Sequence, residues 1–251
     1  RFRNVTGVQT CALPILAYLP HCYQANDAKR ETAPAPSRAQ CGLSEDAFVF
    51  ACFNNAYKIT PVIFTVWMRL LAAAPSSVLW LLDTGEATKN NLRREANQRG
   101  IAQERLHFAP HIAAARHLAR ISLADLFLDT SPVNAHTTAS DALWAGVPLL
   151  TFPGSTFAAR VAASLNRALA LTEMTAENLV QYEERALMLA RNPGALSAIR
   201  RKLQAVRSTS LLFDTGRLTR HIEDAYRIML DIRDKGEAPR TFKVQASDER
   251  L

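Results

Sequence analysis

Apolar and polar positions along the chain alternate between two patterns, the continuous apolar runs of buried strands and the spaced apolar faces of helices. Short runs rich in β-branched and aromatic residues predict five buried strands, at residues 48–53, 78–82, 105–108, 126–128 and 149–152. Segments with helical periodicity lie between them or follow them, at residues 61–71, 89–99, 113–121 and 134–145. Strands and helices that alternate at such short spacing predict right-handed βαβ units. We therefore expect an α/β fold, a Rossmann-like parallel sheet flanked by helices.

Capping residues support two of these boundaries. Thr60 followed by Pro61 is typical of an N-cap and the first position of a helix. Gly146 ends the helix that residues 134–138 open, because glycine readily adopts the left-handed conformation at a helix C-terminus.

Beyond residue 156 the pattern is helical, with predicted helices at residues 157–169, 176–191, 194–207 and 215–233. The tail, residues 234–251, is polar and expected to fray. At the other end, residues 16–45 include a polar, Ala/Pro-rich stretch that predicts an extended linker. Residues 1–15 fit no periodic pattern and resemble the conceptual translation of a sequencing adapter. We expect them to be non-native, with native sequence beginning near Leu16 and its true N-terminal part missing.

Composition narrows the functional classes. The 251 residues are 48% hydrophobic, which is ample for a compact core. The net charge of +7 suits an anionic ligand but is also ordinary for an Arg-rich protein. No basic cluster is interleaved with aromatic residues, so we expect no nucleic-acid partner. No apolar run approaches the length of a membrane span, so we expect no membrane partner.

The cysteines favour a reducing compartment. They lie near the start of the chain without CxxC spacing, at Cys11, Cys22, Cys41 and Cys52. A disulfide framework or zinc site is therefore not expected, and we predict a cytoplasmic protein.

Two loops at the carboxyl ends of predicted strands carry candidate binding groups, since ligands of such sheets bind at that edge. In the first, Lys58 could place its ammonium against phosphate oxygens. The alternative is a solvated loop lysine. In the second, His117 could stack on a nucleobase and Arg120 could hydrogen-bond one. The alternative there is two helix-surface residues without a partner.

A third loop opens the helix that begins near residue 134. The hydroxyls of Thr137 and Thr138, with the free N–H groups of the helix start, could bind the terminal phosphate of a diphosphate. The alternative is a capping box, Thr138-x-x-Asp141, which explains both residues by helix stability alone. His136 could donate to a phosphate or leaving-group oxygen.

Motifs for other chemistry are missing from the sequence. It contains neither GxGxxG after a strand nor GxxxxGK(S/T), so dinucleotide and P-loop sites lack their sequence motifs. No Asp-x-Asp pair lies in a loop. We therefore expect no metal and no cofactor, with positive charge at the site supplied by protein groups.

Several stretches resemble the C-terminal catalytic lobe of the O-linked N-acetylglucosamine transferase family, in its bacterial, Spindly-like branch. They are FNNAYKITP (53–61), SVLWLL (77–82), LADLFLDTSPVNAHTTASDALWAGVPLLTFPG (123–154), AARVAAS (158–164) and LFDT (212–215). The resemblance covers about residues 16 to 233. It implies that residues 46–233 are the nucleotide-sugar-binding lobe of a GT-B glycosyltransferase, with residues 16–45 a linker and remnant of the preceding lobe.

The resemblance also implies an activity. Members are inverting, metal-independent transferases that use a UDP-sugar, here UDP-N-acetylglucosamine as the favoured donor, and modify Ser and Thr hydroxyls of proteins. Tetratricopeptide repeats usually precede the catalytic lobes and capture the protein acceptor. Because the N-terminal catalytic lobe is not in this sequence, we expect the chain alone to bind donor with little or no transfer.

Site residues carry over by the same resemblance. Lys58 would neutralise the diphosphate with Asn55 beside it, and His136, Thr137 and Thr138 would hold the phosphates and sugar. Lys58 and His136 are the expected catalytic residues.

The nucleoside would be held by three further residues. Asp141 would accept a hydrogen bond from the ribose, and His117 and Arg120 would line the uracil pocket.

Two other interpretations stay open. One keeps the fold and changes the sugar or acceptor, to O-fucose from GDP-fucose or glucose onto asparagine. The other is a non-catalytic nucleotide-binding or scaffold protein.

Overall fold

The structure, a computed structural model, describes residues 15–246. The predicted non-native segment 1–15 lies outside the described residues except for Ile15, and so do residues 247–251 of the predicted tail. The chain divides into two compact units. One is residues 29–209, and the other combines the chain before residue 29 with the chain after residue 209.

The described residues contain the following strands and helices. The strands are β1 (Ala17–Tyr18), β2 (Phe48–Cys52), β3 (Ser77–Leu82), β4 (Leu106–Ala109), β5 (Leu126–Leu128), β6 (Leu149–Leu150) and β7 (Phe242–Lys243). The α-helices are α1 (Pro61–Ala73), α2 (Glu86–Gln98), α3 (Ala114–Ile121), α4 (Thr137–Trp144), α5 (Val161–Ala168), α6 (Leu179–Arg191), α7 (Pro193–Arg207) and α8 (Thr215–Asp234). The predicted α/β class is confirmed.

Strands β2 to β6 form one parallel sheet in the order β4-β3-β2-β5-β6. The chain begins the sheet at β2, moves outward through β3 to β4, and then returns to place β5 on the other side of β2. The connections that follow β2 and β5 therefore lead in opposite directions. Such a switch point leaves a crevice at the carboxyl edge of the sheet, where ligands of doubly wound folds bind.

Large aromatic side chains from the sheet and from α1 and α6 fill the core of the unit 29–209. The largest fully buried ones include Trp67, Trp80, Tyr182, Phe50, Phe53 and Phe127. Trp67 Nε1 donates to the Tyr182 hydroxyl over 3.1 Å, and that hydroxyl donates to the backbone oxygen of Asp129 over 3.0 Å. This hydrogen-bonded chain ties α1 and α6 to the end of β5.

Several predicted bounds of strands and helices need correction. The fifth strand ends at Leu150, since Thr151 turns away to pair with Thr175 in an isolated bridge. The third begins at Leu106, because Arg105 closes a 3₁₀ turn and donates to Ser77 O over 2.9 Å. Helix α2 begins earlier, at Glu86, after a turn that Asp83 stabilises.

The helix predicted over residues 157–169 is interrupted. Residues 157–159 form a 3₁₀ turn, and α5 begins only at Val161. The carbonyls of Ala158 and Ala159 accept instead from Asn134 N and Gly154 N, over 2.9 and 2.8 Å. They are therefore used by neighbouring loops and not by a continuous helix.

Helices α6 and α7 also begin at different residues from those predicted. Helix α6 begins at Leu179, because the side chain of Asn178 caps it by accepting from Gln181 N. Helix α7 begins at Pro193, with Asn192 as its N-cap.

Residues 29–47, which directly precede β2, belong to the unit 29–209. Arg38 donates to Ala47 O over 2.7 Å and to Leu123 O over 3.1 Å, and it pairs with Asp125. This part of the predicted linker is therefore attached to the amino edge of the sheet.

The other unit contains α8 and the short strands β1 and β7. Asp214 caps α8 by accepting from Arg217 N over 2.8 Å. The short strands β1 and β7 pair in parallel, and Val244 N donates to Tyr18 O over 2.9 Å. The expectation that the tail frays is therefore wrong for residues 242–244.

We predict that Tyr182→Phe lowers the free energy of unfolding by about 1–3 kcal/mol, because it leaves the buried Trp67 N–H and Asp129 carbonyl without the shared hydroxyl. Urea denaturation followed by tryptophan fluorescence measures this. Tyr226→Phe is the matched control, since Tyr226 is 60% exposed on α8. Equal stability of the two variants would contradict the prediction.

Candidate functional site

The crevice at the switch point is bounded by the loops after β2 and β5, and hydrogen bonds tie these loops together. Asn54 Nδ2 donates to Thr130 Oγ1 over 2.7 Å, and Thr60 Oγ1 donates to Ser131 O over 3.2 Å. These hydrogen bonds hold the two loops together next to the N-terminus of α4.

Lys58 reaches from the first loop to the second. Its Nζ donates to Asn134 O over 2.9 Å, which places the ammonium just before the start of α4. Burial lowers the pKa of Lys58, while the nearby carboxyl of Asp129 opposes that shift. The predicted alternative, a solvated loop lysine, is wrong, since this half-buried side chain has a fixed partner.

Thr138 does not close a capping box. Its hydroxyl donates to Asn54 Oδ1, and the Asp141 carboxylate pairs with Arg30. The residue before the helix, His136, makes no side-chain cap bond. The capping-box alternative is therefore wrong, because both of its side chains have tertiary partners. The first-turn N–H groups have no acceptor within the helix, and Thr137 beside them is exposed.

His136 stands at this helix start with a half-buried ring. Its Nε2 lies 3.5 Å from Ala158 O, and its ring meets that of Phe157 edge-on at 6.5 Å between centroids. Burial lowers the pKa of His136 and the charge of Lys58 lowers it further, against the contact with Ala158 O. The ring is therefore neutral near pH 7, and it can donate one hydrogen bond without carrying a charge.

His117 and Arg120 form a second group, on α3. Arg120 is only 4% exposed, and it donates from Nε to His117 Nδ1 over 3.0 Å and from Nη1 to Pro110 O over 2.7 Å. Burial, then the charge of Arg120, lowers the pKa of His117 to about 4. His117 is therefore a neutral ring whose orientation is set by Arg120 and by edge-on packing against Phe53, at 5.2 Å. The alternative of surface residues without partners is wrong for this pair.

Arg120 also lines a cavity of about 330 Å³ beside the carboxyl ends of β3 and β4. Its other walls are mostly apolar, among them Trp80, Phe108, Pro110 and Ile112. This volume is at the lower end of the range of small-molecule pockets, about 300–1,000 Å³.

The predicted residues therefore fall into distinct groups. The structure brings Lys58, His136 and Thr138 together at the start of α4, and His117 and Arg120 together on α3. Asp141 lies one turn along α4 from Thr137. Asn55 is exposed, and its backbone oxygen accepts from Lys58 N over 3.0 Å, so it shapes the turn that carries the lysine.

Sequence reasoning missed Asn54 and Asp129. Asp129 is buried, and its carboxylate accepts from Ala135 N and Thr151 Oγ1, both over 2.6 Å, and from Thr130 N over 2.8 Å. Burial raises the pKa of Asp129 to about 7, against these three donors. The sequence signal that could have identified Asp129 is the position of an acidic residue directly after a buried strand.

Two findings concern the part of the chain that is described, residues 15–246. No three of its His, Cys, Asp and Glu side chains are arranged to hold a metal ion. None of its helices is both long and apolar enough to cross a membrane. Metal independence and location stay predictions.

Comparison with known proteins relates this arrangement to one family. A model described as glycosyl transferase family 41 matches residues 16–222. The chain is 40% identical over 240 residues to a probable UDP-N-acetylglucosamine–peptide N-acetylglucosaminyltransferase, SEC, of Arabidopsis thaliana, a match that covers 93% of the chain and 25% of that protein. It is 37% identical over 188 residues to the UDP-N-acetylglucosamine–peptide N-acetylglucosaminyltransferase of Caenorhabditis elegans, covering 75% of the chain and 16% of that protein.

Among solved structures, a mutant of the Thermobaculum terrenum O-GlcNAc transferase superposes with a TM-score of 0.74 at 33% identity. The match covers 84% of this chain and 40% of that chain. The chain spans a quarter or less of the length of the two curated relatives.

We predict that Asp129→Asn removes a pH dependence of stability. Because burial raises the folded-state pKa to about 7, the folded chain keeps this proton where the unfolded chain, with a pKa near 4, has lost it. The contribution is complete below about pH 4 and is lost as pH rises through about 7, by up to about 1.4 kcal/mol per pH unit. Denaturant unfolding of wild type and variant across that range measures it.

The control is Asp125→Asn, which removes a carboxylate at the other end of β5. This control should keep the decline, and the same decline in the Asp129→Asn chain would contradict the prediction.

Proposed function

Because the chain belongs to glycosyl transferase family 41 and has the fold of a GT-B C-terminal lobe, we propose that it binds the donor for a UDP-sugar-dependent protein O-glycosyltransferase. N-acetylglucosamine is the proposed sugar and Ser and Thr hydroxyls are the proposed acceptors, in keeping with the names of its relatives. The family resemblance is confirmed by the match over residues 16–222. Donor, acceptor and mechanism are proposals, since the chain spans only part of those relatives.

The observation that carries this proposal is the position of the Lys58 ammonium at the start of α4. It lies beside the crevice that the strand order leaves between β2 and β5. An ammonium has three N–H donors, and the bond to Asn134 O uses one. The remaining donors and the N–H groups of the first turn of α4 favour a group with several anionic oxygens, such as a diphosphate.

The proposed chemistry needs this positive charge when the bond to the sugar breaks. Negative charge then develops on the departing UDP, and preorganised donors that face it lower the barrier. Lys58 supplies the charge, and His136 and the hydroxyls of Thr137 and Thr138 supply hydrogen bonds. We propose that these groups take the place of a metal ion and that the reaction inverts the anomeric centre.

The nucleoside is proposed to lie along α3 and α4. His117 presents a neutral ring for stacking, and the fixed guanidinium of Arg120 can donate to a base. Asp141, on the second turn of α4, is the proposed acceptor for the ribose.

Protein acceptors are proposed to be captured by repeats outside this sequence. Because the family resemblance assigns these residues to the C-terminal lobe and part of the catalytic machinery to a second, N-terminal lobe, we predict that the 251 residues alone bind donor but transfer sugar at or near background in a radiolabel assay with a peptide acceptor. Efficient transfer by the chain alone would contradict this prediction.

We predict that Lys58→Met weakens binding of UDP about 10- to 100-fold, because the variant loses charge-assisted bonds to phosphate. Isothermal titration calorimetry measures the affinity. Binding of uridine, which has no phosphate, should change little, and this separates a lost phosphate contact from a damaged fold.

The matched control is Lys202→Met, because Lys202 lies on α7 and pairs with Glu173 away from the crevice. Lys202→Met should leave UDP affinity unchanged. Equal UDP affinity of the Lys58→Met chain and the wild type would overturn the proposed diphosphate site.

We predict that UDP binds about tenfold or more tightly than GDP, since Arg120 is held by two protein partners and cannot readjust to a different base edge. Calorimetric titration of both nucleotides measures this. Tighter binding of GDP would favour the fucosyltransferase alternative, and binding of neither would remove the donor role.

A further inference from the structure

The carboxylate of Asp141 is held by a residue from the stretch before the sheet. Arg30 Nη1 donates to Asp141 Oδ1, and the two side chains are only 19% and 16% exposed. Arg30 precedes a segment that is itself tied down, because Ala33 N donates to Ala115 O on α3 over 3.1 Å. The ion pair therefore joins residues 111 positions apart along the chain.

The Arg30 guanidinium also packs on the ring of Trp144, with its central carbon 5.4 Å from the ring centroid. Trp144 follows Asp141 by three residues, so both side chains lie on one face of α4. A planar guanidinium that stacks on one residue and donates to the other is fixed in both position and orientation. This arrangement sets the direction of the carboxylate.

One oxygen of Asp141 is left for another donor. Among the residues that the structure describes, Arg30 donates to Oδ1, and none donates to Oδ2. Thr137 is four residues before Asp141, so the two residues share a face of α4, and the proposed phosphate site lies at the N-terminal end of that face. Burial raises the pKa of Asp141, and the charge of Arg30 opposes that shift.

We propose that Arg30 is a positioning residue for nucleotide selection: it fixes Asp141 so that the second carboxylate oxygen accepts hydrogen bonds from the ribose hydroxyls. The inference rests on the proposed function, because it takes UDP as the ligand. It adds that discrimination between ribose and deoxyribose depends on Arg30, which lies outside α4 and acts only through Asp141.

The test compares UDP with 2′-deoxy-UDP and 3′-deoxy-UDP on the full 251-residue chain by calorimetry. Wild type should prefer UDP about tenfold over at least one deoxy analogue, as for a hydrogen bond to a charged acceptor. In the Arg30→Met chain that preference should fall to about twofold or less, through weaker binding of UDP. Arg30→Lys keeps the charge without the planar stack, and we expect it to retain part of the preference.

Arg207→Met is the matched control. Arg207 also packs on the Trp144 ring, with its central carbon 5.5 Å from the ring centroid, and it donates to Trp144 O, whereas the ion pair of Asp141 is with Arg30. It should lower thermal stability about as much as Arg30→Met while leaving the preference for UDP intact. Adding Asp141→Asn to the Arg30→Met chain should reduce the preference for UDP over its deoxy analogues no further.

The outcomes are distinguishable. Wild-type discrimination that persists in folded Arg30→Met would overturn the inference, and so would equal loss in the Arg207→Met chain. If Arg30→Met does not fold, Arg30→Lys takes its place in the test. The inference would be overturned if the Arg30→Lys chain kept the full preference for UDP and if Asp141→Asn reduced that preference equally in the wild type and in the Arg30→Lys chain. Equal binding of UDP and both deoxy analogues by wild type would overturn it while donor binding stands. No binding of any of the three would instead remove the proposed function.

Discussion

The loop that follows β5 depends on one buried carboxylate. Asp129 accepts hydrogen bonds from two backbone N–H groups and the Thr151 hydroxyl, and these close the loop between β5 and α4. A buried polar side chain costs free energy unless hydrogen bonds compensate, so the loop conformation that supplies three donors is favoured whether or not Asp129 carries its proton. Asn134, whose backbone oxygen accepts a hydrogen bond from Lys58 Nζ, lies within that loop. The position of the ammonium is therefore set by a residue that does not face the crevice.

The charges at the carboxyl edge suit an anionic ligand better than the net charge alone would indicate. Burial keeps His117 and His136 neutral, and it also lowers the pKa of Lys58. The nearby Asp129 opposes this shift in the pKa of the Lys58 ammonium. A half-buried cation beside a helix N-terminus and neutral donors attracts a phosphate more strongly than a solvated one, since less water screens it.

Sequence periodicity predicted how strands β2 to β6 alternate with helices α1 to α4 along the chain, because buried runs and amphipathic faces are local properties. It could not predict which loop groups meet. Thr138 and Asn54 are 84 residues apart in sequence, and their bond decides against the capping box that local spacing favoured. The break before α5 follows from carbonyls that accept from neighbouring loops, whereas the starts of α6 and α7 follow from the local caps Asn178 and Asn192. Lys58 and His136 were found from their positions at strand ends, whereas Asn54 and Asp129 act through partners that only the fold reveals.

The stretch before β2 changes how the nucleotide site should be defined. As an Ala/Pro-rich linker it has no periodicity, yet Arg30 reaches Asp141 and Arg38 is bound to the amino edge of the sheet. The proposed phosphate-binding residues lie in the loops after β2 and β5 and at the start of α4. In our proposal the ribose acceptor Asp141 instead takes its orientation from Arg30, which lies before the βαβ units. A change in this segment should therefore alter nucleoside selection while leaving phosphate binding intact, because the two depend on different parts of the chain.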